Sequence, residues 1–201
     1  MKIVLFDMDG TLTLSREKMN NIMLTTLIKL QSKGFDIGIV SGSDMNYIVE
    51  QCSLLFEVNN FDYSAVHWFP CNGTKYYKYD KNGNRKTIYE SDMVEKIGKK
   101  EYRLLISECI NIQKNIVDTT DCPLTGQFFD YRGSTLNWCP IGRLANKEDR
   151  LTWIDIDKSF GIRKKWLSYL QTVMKKNNVN NLEFKLGGDT SFDIFPTGWD
   201  K

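Results

Sequence analysis

With 201 residues, 41% of them apolar, 26% charged and only 4 Pro beside 14 Gly, the chain is sized for one globular unit or two small lobes, which excludes collagen-like and disordered classes. Its 27 basic and 25 acidic side chains leave a formal charge of +2, so no global field draws it onto nucleic acid or an anionic membrane, and anion binding has to be local. No run reaches the ~20 apolar residues of a membrane span, the start resembles no secretory leader, and Cys52, Cys71, Cys109, Cys122 and Cys139, with no metal-ligand spacing, read as reduced thiols of a cytoplasmic protein.

Residues 3–6 are a continuous apolar run ended by Asp7, the pattern of a strand buried on both faces of a parallel sheet. Ser15 can cap a helix with an apolar stripe at Met19, Ile22, Met23, Leu27 and Leu30, stopped by Gly34. A second run, 35–40, leads into Ser41-Gly42-Ser43-Asp44, and Ser43 or Asp44 caps a further amphipathic stretch through Met45, Ile48, Val49 and Cys52. Strand and helix thus alternate, which predicts a doubly wound α/β core with its chemistry at the carboxyl ends of the strands.

Past about Tyr79 the pattern changes. The hairpin-type turn Asp80-Lys81-Asn82-Gly83-Asn84 opens a second lobe, with helices over 92–117 and 163–176 and strands over 126–131, 135–139, 182–186 and 191–195. Helices interleaved with pairs of short strands predict an antiparallel α+β sheet covered on one side.

The most informative stretch is Phe6-Asp7-Met8-Asp9-Gly10-Thr11-Leu12-Thr13. Two carboxylates one residue apart after a buried strand can both reach a metal ion, with Gly10 letting the backbone turn closely. Asp7 can attack phosphorus to give an acyl phosphate while a second carboxylate exchanges the proton of a sugar oxygen. The bland alternative is a simple turn or a calcium-type loop. In Ser191-Phe192-Asp193, strand alternation puts Ser191 and Asp193 on one face and Phe192 on the other. Single arginines are usually solvated surface charges. His67, the only histidine, lies beside Trp68 and Phe69 and reads as an aromatic-cluster residue rather than a catalytic relay.

That opening stretch resembles the first motif of the haloacid dehalogenase superfamily, an apolar strand followed by D-x-D-G-T. More narrowly, the blocks FDMDGTLT, GIVSGSD, FPCNGTKYYK, RGSTLNWCPIGR and GGDTSFDIFPTGWDK resemble the eukaryotic-type α-phosphomannomutases, from Lys2 to Lys201. The resemblance implies an α/β fold with a haloacid dehalogenase-like Rossmannoid core, 1–85 plus 198–201, and an inserted α+β cap, 86–197, that carries an antiparallel sheet and binds substrate. It implies Asp7 as nucleophile, Asp9 as general acid/base, and both as Mg²⁺ ligands. Arg16, Arg132, Arg143, Arg150, Ser191 and Asp193 would bind substrate, and Ser41 and Lys201 would contact phosphate. Asn72-Gly73 resembles a family E-N-G loop, with Cys71 in place of the acidic residue.

The implied activity is interconversion of mannose 6-phosphate and mannose 1-phosphate, supplying GDP-mannose synthesis, with Mg²⁺ and a sugar 1,6-bisphosphate activator. The implied partners are small sugar phosphates and a second copy of the chain, bound through the cap. One departure stands out: family members continue past G-W-D-K with another core strand and an acidic motif that completes the magnesium site. The sequence is then either a truncated version of a longer reading frame or a catalytically silent sugar-phosphate-binding module, and the opening motif also admits a sugar phosphatase of the same superfamily.

Overall fold

Residues 2–14 and 16–200 are described by a computed structural model, in which the chain separates into two units. One is formed by the chain up to Ser91 together with Trp199 onward, the other by Asp92–Gly198.

The first unit is built on β1 (Ile3–Asp7), β2 (Asp36–Val40), β3 (Val66–Phe69), β4 (Lys75–Tyr79) and β5 (Arg85–Glu90), adjacent in that order. β1, β2 and β3 run parallel, and β4 and β5 add antiparallel. Alternation places Phe6, Ile37, Ile39, Val66 and Trp68 on one face, where they pack with α1 (Asn21–Ser32), α2 (Met45–Gln51) and α3 (Leu54–Glu57) through Leu24, Leu27, Ile48 and Leu55.

Three expectations are corrected here. β1 is a sheet edge rather than a strand buried on both faces, and Ile3 and Leu5 are 38% and 58% exposed because the helices lie against the opposite side. α1 starts at Asn21, whose preceding residue Asn20 caps it by accepting the Met23 N–H at 2.9 Å. That phase leaves Ile22 80% exposed and turns Leu24 and Leu27 inward. Ser15, the expected cap, lies outside the described residues. Finally, the Asp80 hairpin opens no second lobe: β5 is hydrogen-bonded to β4, so the first unit continues to Ser91 instead of ending near 85.

The second unit holds α4 (Met93–Ile97), α5 (Lys99–Thr119), α6 (Lys147–Phe160) and α7 (Ile162–Lys176) with a four-stranded antiparallel sheet. Its strands are β6 (Phe129–Tyr131), β7 (Leu136–Trp138), β8 (Leu182–Gly187) and β9 (Ser191–Pro196), in the order β6-β7-β9-β8. Register sorts the sheet into two kinds of rung. Phe129, Trp138, Phe192 and Leu186 are paired across it, with Trp138 and Phe192 stacked at 4.5 Å over a core shared with Leu105, Cys109, Ile112, Leu170 and Met174. The neighbouring rung is polar: Asp130, Asn137, Asp193 and Lys185.

The helix expected over 92–117 is two, because Gly98 takes φ +101° between α4 and α5. α6 was not foreseen. Asn146 and Asp149 form a reciprocal capping box at its start, and Gly161 in the left-handed region ends it. All five cysteines are buried free thiols. Among the described residues, no helix is long and apolar enough to cross a membrane.

Candidate active site

In the first unit the chemistry-bearing loop starts where β1 ends. Met8 anchors it: its side chain is fully buried, and its carbonyl accepts the N–H groups of Thr11, Leu12 and Thr13 at 3.2, 2.9 and 3.0 Å. Gly10 sits at φ +80° and donates to the Thr13 carbonyl, so residues 8–13 close into a tight loop pinned from beneath by buried Leu12. The two carboxylates leave this loop in different environments. Asp7 is exposed, and its Oδ1 accepts the Met8 N–H at 2.9 Å. Asp9 is half-buried, and its Oδ1 accepts the Tyr47 hydroxyl at 3.0 Å.

Tyr47, on the first turn of α2, also accepts the Arg16 N–H at 3.0 Å. Burial raises its hydroxyl above the ordinary tyrosine range, with the Asp9 charge adding to the effect, so it stays a proton donor. Cys52, fully buried, is pushed up to about 12 by burial first and by the Asp9 charge second. It is an inert thiol and no rival nucleophile.

Arg16 is exposed at φ +65°, an uncommon backbone state for a residue with a side chain. Ser41 follows β2, whose Val40 is paired with Asp7, so it stands beside the end of β1. It is buried, its Oγ accepts the Ser43 N–H at 3.1 Å, and its carbonyl accepts the Asn72 N–H at 2.8 Å. Cys71, Asn72 and Gly73 all take positive φ, and the Cys71 N–H donates to the Ser43 carbonyl at 2.9 Å, so residues 71–73 are held against the loop that follows β2. Lys201 lies outside the described residues.

The second unit gathers its candidates into one network on the polar rung. Asp130 Oδ2 accepts Arg132 Nε at 2.9 Å and lies 3.4 Å from Arg143 Nε. Arg143 donates to Asn137 Oδ1 at 2.6 Å, and Asn137 Nδ2 donates to Asp193 Oδ1 at 2.7 Å. Arg150 joins from the first turn of α6, donating to Thr190 Oγ1 at 2.9 Å and to the Arg143 carbonyl at 3.0 Å. Ser191 is buried at the start of β9. Gly187 makes room: a Cβ there would meet Asp193 Oδ2 at 2.6 Å.

Behind the strand end, buried Arg163 pairs with Asp157 at 2.7 Å and donates to the carbonyls of Gly188 and Ser191. Sequence reasoning missed Asp130, Asn137, Thr190, Arg163 and Tyr47. The alternation of Asp130 and Asn137 with apolar neighbours was the available signal. Arg150 sits in the charged run Lys147-Glu148-Asp149-Arg150, yet its guanidinium is tied down at three points, the Ala145 and Arg143 carbonyls and Thr190 Oγ1.

A first unit whose first three strands run parallel, with a D-x-D loop at the end of the first, joined to an α+β unit, defines a haloacid dehalogenase-like fold. Solved structures agree on the fold at low sequence identity. The C-terminal domain of C. albicans trehalose-6-phosphate phosphatase matches with TM-score 0.59 and 16% identity, covering all of this chain and 58% of that one. A Plasmodium falciparum IMP-nucleotidase matches with TM-score 0.63 and 11% identity, over 96% of this chain and 47% of that one. The family model for eukaryotic phosphomannomutase matches residues 23–201. The phosphomannomutase of Schizosaccharomyces pombe is 35% identical over 99% of this chain and 72% of its own length. Phosphomannomutase 1 of Mus musculus is 36% identical over 99% and 70%. The chain belongs to the eukaryotic phosphomannomutase family.

Proposed function

We propose that the chain interconverts mannose 6-phosphate and mannose 1-phosphate through a phosphorylated Asp7 and a sugar 1,6-bisphosphate. Phosphorylated Asp7 presents its phosphoryl group to the free hydroxyl of a sugar monophosphate. As the sugar oxygen bonds to phosphorus, Asp9 takes its proton, and the bond from phosphorus to the Asp7 carboxylate breaks. In the return step Asp7 attacks the other phosphate of the bisphosphate, and Asp9 gives the proton back to the departing sugar oxygen.

The observation that carries this reading is the guanidinium network of the second unit. Arg143 and Arg150 are held in one hydrogen-bonded set with Asp193, and Arg132 joins it through Asp130, which is ion-paired with Arg143. Guanidinium forks suit a phosphate that must be gripped while a different one reacts, and a hydroxyl and a carboxylate, Ser191 and Asp193, suit sugar hydroxyls. A phosphatase has no need of such a second anion site. Asp7 offers hard carboxylate oxygens, the donors Mg²⁺ takes in ones and twos alongside water and substrate phosphate, while Asp9, with Oδ1 on the Tyr47 hydroxyl, keeps its other oxygen for the proton. Bound there, Mg²⁺ would neutralise charge on the transferring phosphoryl group.

The test is mannose 1-phosphate with a catalytic amount of sugar 1,6-bisphosphate and Mg²⁺. Mannose 6-phosphate is the expected product, and inorganic phosphate released at the same rate would replace the mutase with a phosphatase. Asp7→Asn loses more than about 10³-fold in turnover while sugar-phosphate binding stays measurable. Retained activity removes Asp7 from the nucleophile role.

A further inference from the structure

Tyr47 ties together two parts of the first unit's loop through one oxygen. The Arg16 backbone N–H can only donate, so the phenol accepts it and sends its own proton to Asp9 Oδ1, both at 3.0 Å. The tyrosine is itself fixed from behind. Its backbone N–H is the group that Asp44 caps at 2.9 Å, and its ring packs against the core beneath α2. Among the described residues, no other hydrogen bond holds the Asp9 carboxylate.

We infer that Tyr47 is the positioning residue for the proton carrier. By occupying Oδ1 it holds the carboxylate in one orientation and assigns proton exchange with the sugar oxygen to Oδ2. The inference rests on the proposed role of Asp9. A carboxylate free to turn is out of line for much of the time, and proton transfer at the transition state depends on alignment. The effect is confined to reactions that need the proton. A strongly basic sugar alkoxide needs it, whereas a weakly basic nitrophenolate leaves without it.

Tyr47→Phe keeps the ring and removes the one oxygen. With mannose 1-phosphate and sugar bisphosphate, kcat falls about tenfold or more while KM stays within about twofold. Phosphorylation of Asp7 by 2,4-dinitrophenyl phosphate stays within about twofold of wild type. Equal losses with both donors, or no loss with either, would overturn the inference. A crystal structure of the variant supplies a second readout that needs no turnover: the Asp9 carboxylate is expected to rotate or to occupy two orientations, and one unchanged orientation would overturn the inference. If the wild type shows no mannose phosphate interconversion while Asp9 still turns in the variant, the proposed function fails and the positioning role stands.

Discussion

His67 is held neutral by its surroundings. Its ring lies nearly parallel to those of Phe69 and Tyr76, which stack on each other at 4.7 Å; its Nδ1 lies 2.7 Å from the Tyr76 hydroxyl, and burial, then the Lys78 charge, lowers its pKa from the ordinary histidine value. Asp36, 3.7 Å from Nε2, opposes this only in part. In the unfolded chain the ring takes a proton near pH 6.5, so below that value the unfolded state binds more protons than the fold and stability falls as pH falls. Between about pH 7 and pH 5 the wild type therefore loses more unfolding free energy than His67→Gln, measured by urea titration. Parallel pH profiles would show that the ring protonates equally in both states. The character of this residue was legible because its neighbours in sequence are aromatic. Asp130 and Asn137 were not, since a polar residue between apolar ones gains meaning only when register sets it beside Arg143 and Asp193.

Among the elements, α6 shows why some structure escapes pattern reading. Only Trp153 of its 14 residues is fully buried, so there is no apolar stripe to detect, and its first turn reads as a run of charges. What specifies it is the ends: the Asn146 and Asp149 box and the Gly161 stop. Asn146→Ala should destabilise the second unit by about 1 kcal/mol in chemical denaturation. Because Arg150 stands in that first turn and holds Thr190 and the Arg143 carbonyl, the same substitution should weaken sugar-phosphate binding measured by calorimetry. A loss of stability with unchanged affinity would show that α6 starts independently of this cap. The break at Gly98 escaped for the opposite reason: both sides of it have good helical sequence, and a single glycine inside such a pattern is tolerated as often as it interrupts.

At the scale of the molecule, the division into an α/β unit and an α+β unit follows from the change of periodicity along the chain, whereas the layer order of the first sheet does not. Residues 3–6 are apolar throughout, which in a parallel sheet normally signals cover on both sides. Here one side meets α1, α2 and α3 and the other leaves Leu5 exposed beside Gly38, where a Cβ would run into Leu5 Cδ2. A uniform apolar run carries no information about which side has a partner, so sequence alone assigns Leu5 and Leu27 to the same core. The structure separates them. Leu5→Thr is expected to change the unfolding free energy of the 201-residue chain by less than about 1 kcal/mol. Leu27→Ala, at a fully buried position, is expected to cost about 2–5 kcal/mol. Both are read from denaturation at low protein concentration, with sedimentation to fix the oligomeric state. Equal costs would mean that the Leu5 face is covered in solution. A cost at Leu5 that rises with protein concentration would identify a second copy of the chain as the cover, since only association makes burial depend on concentration.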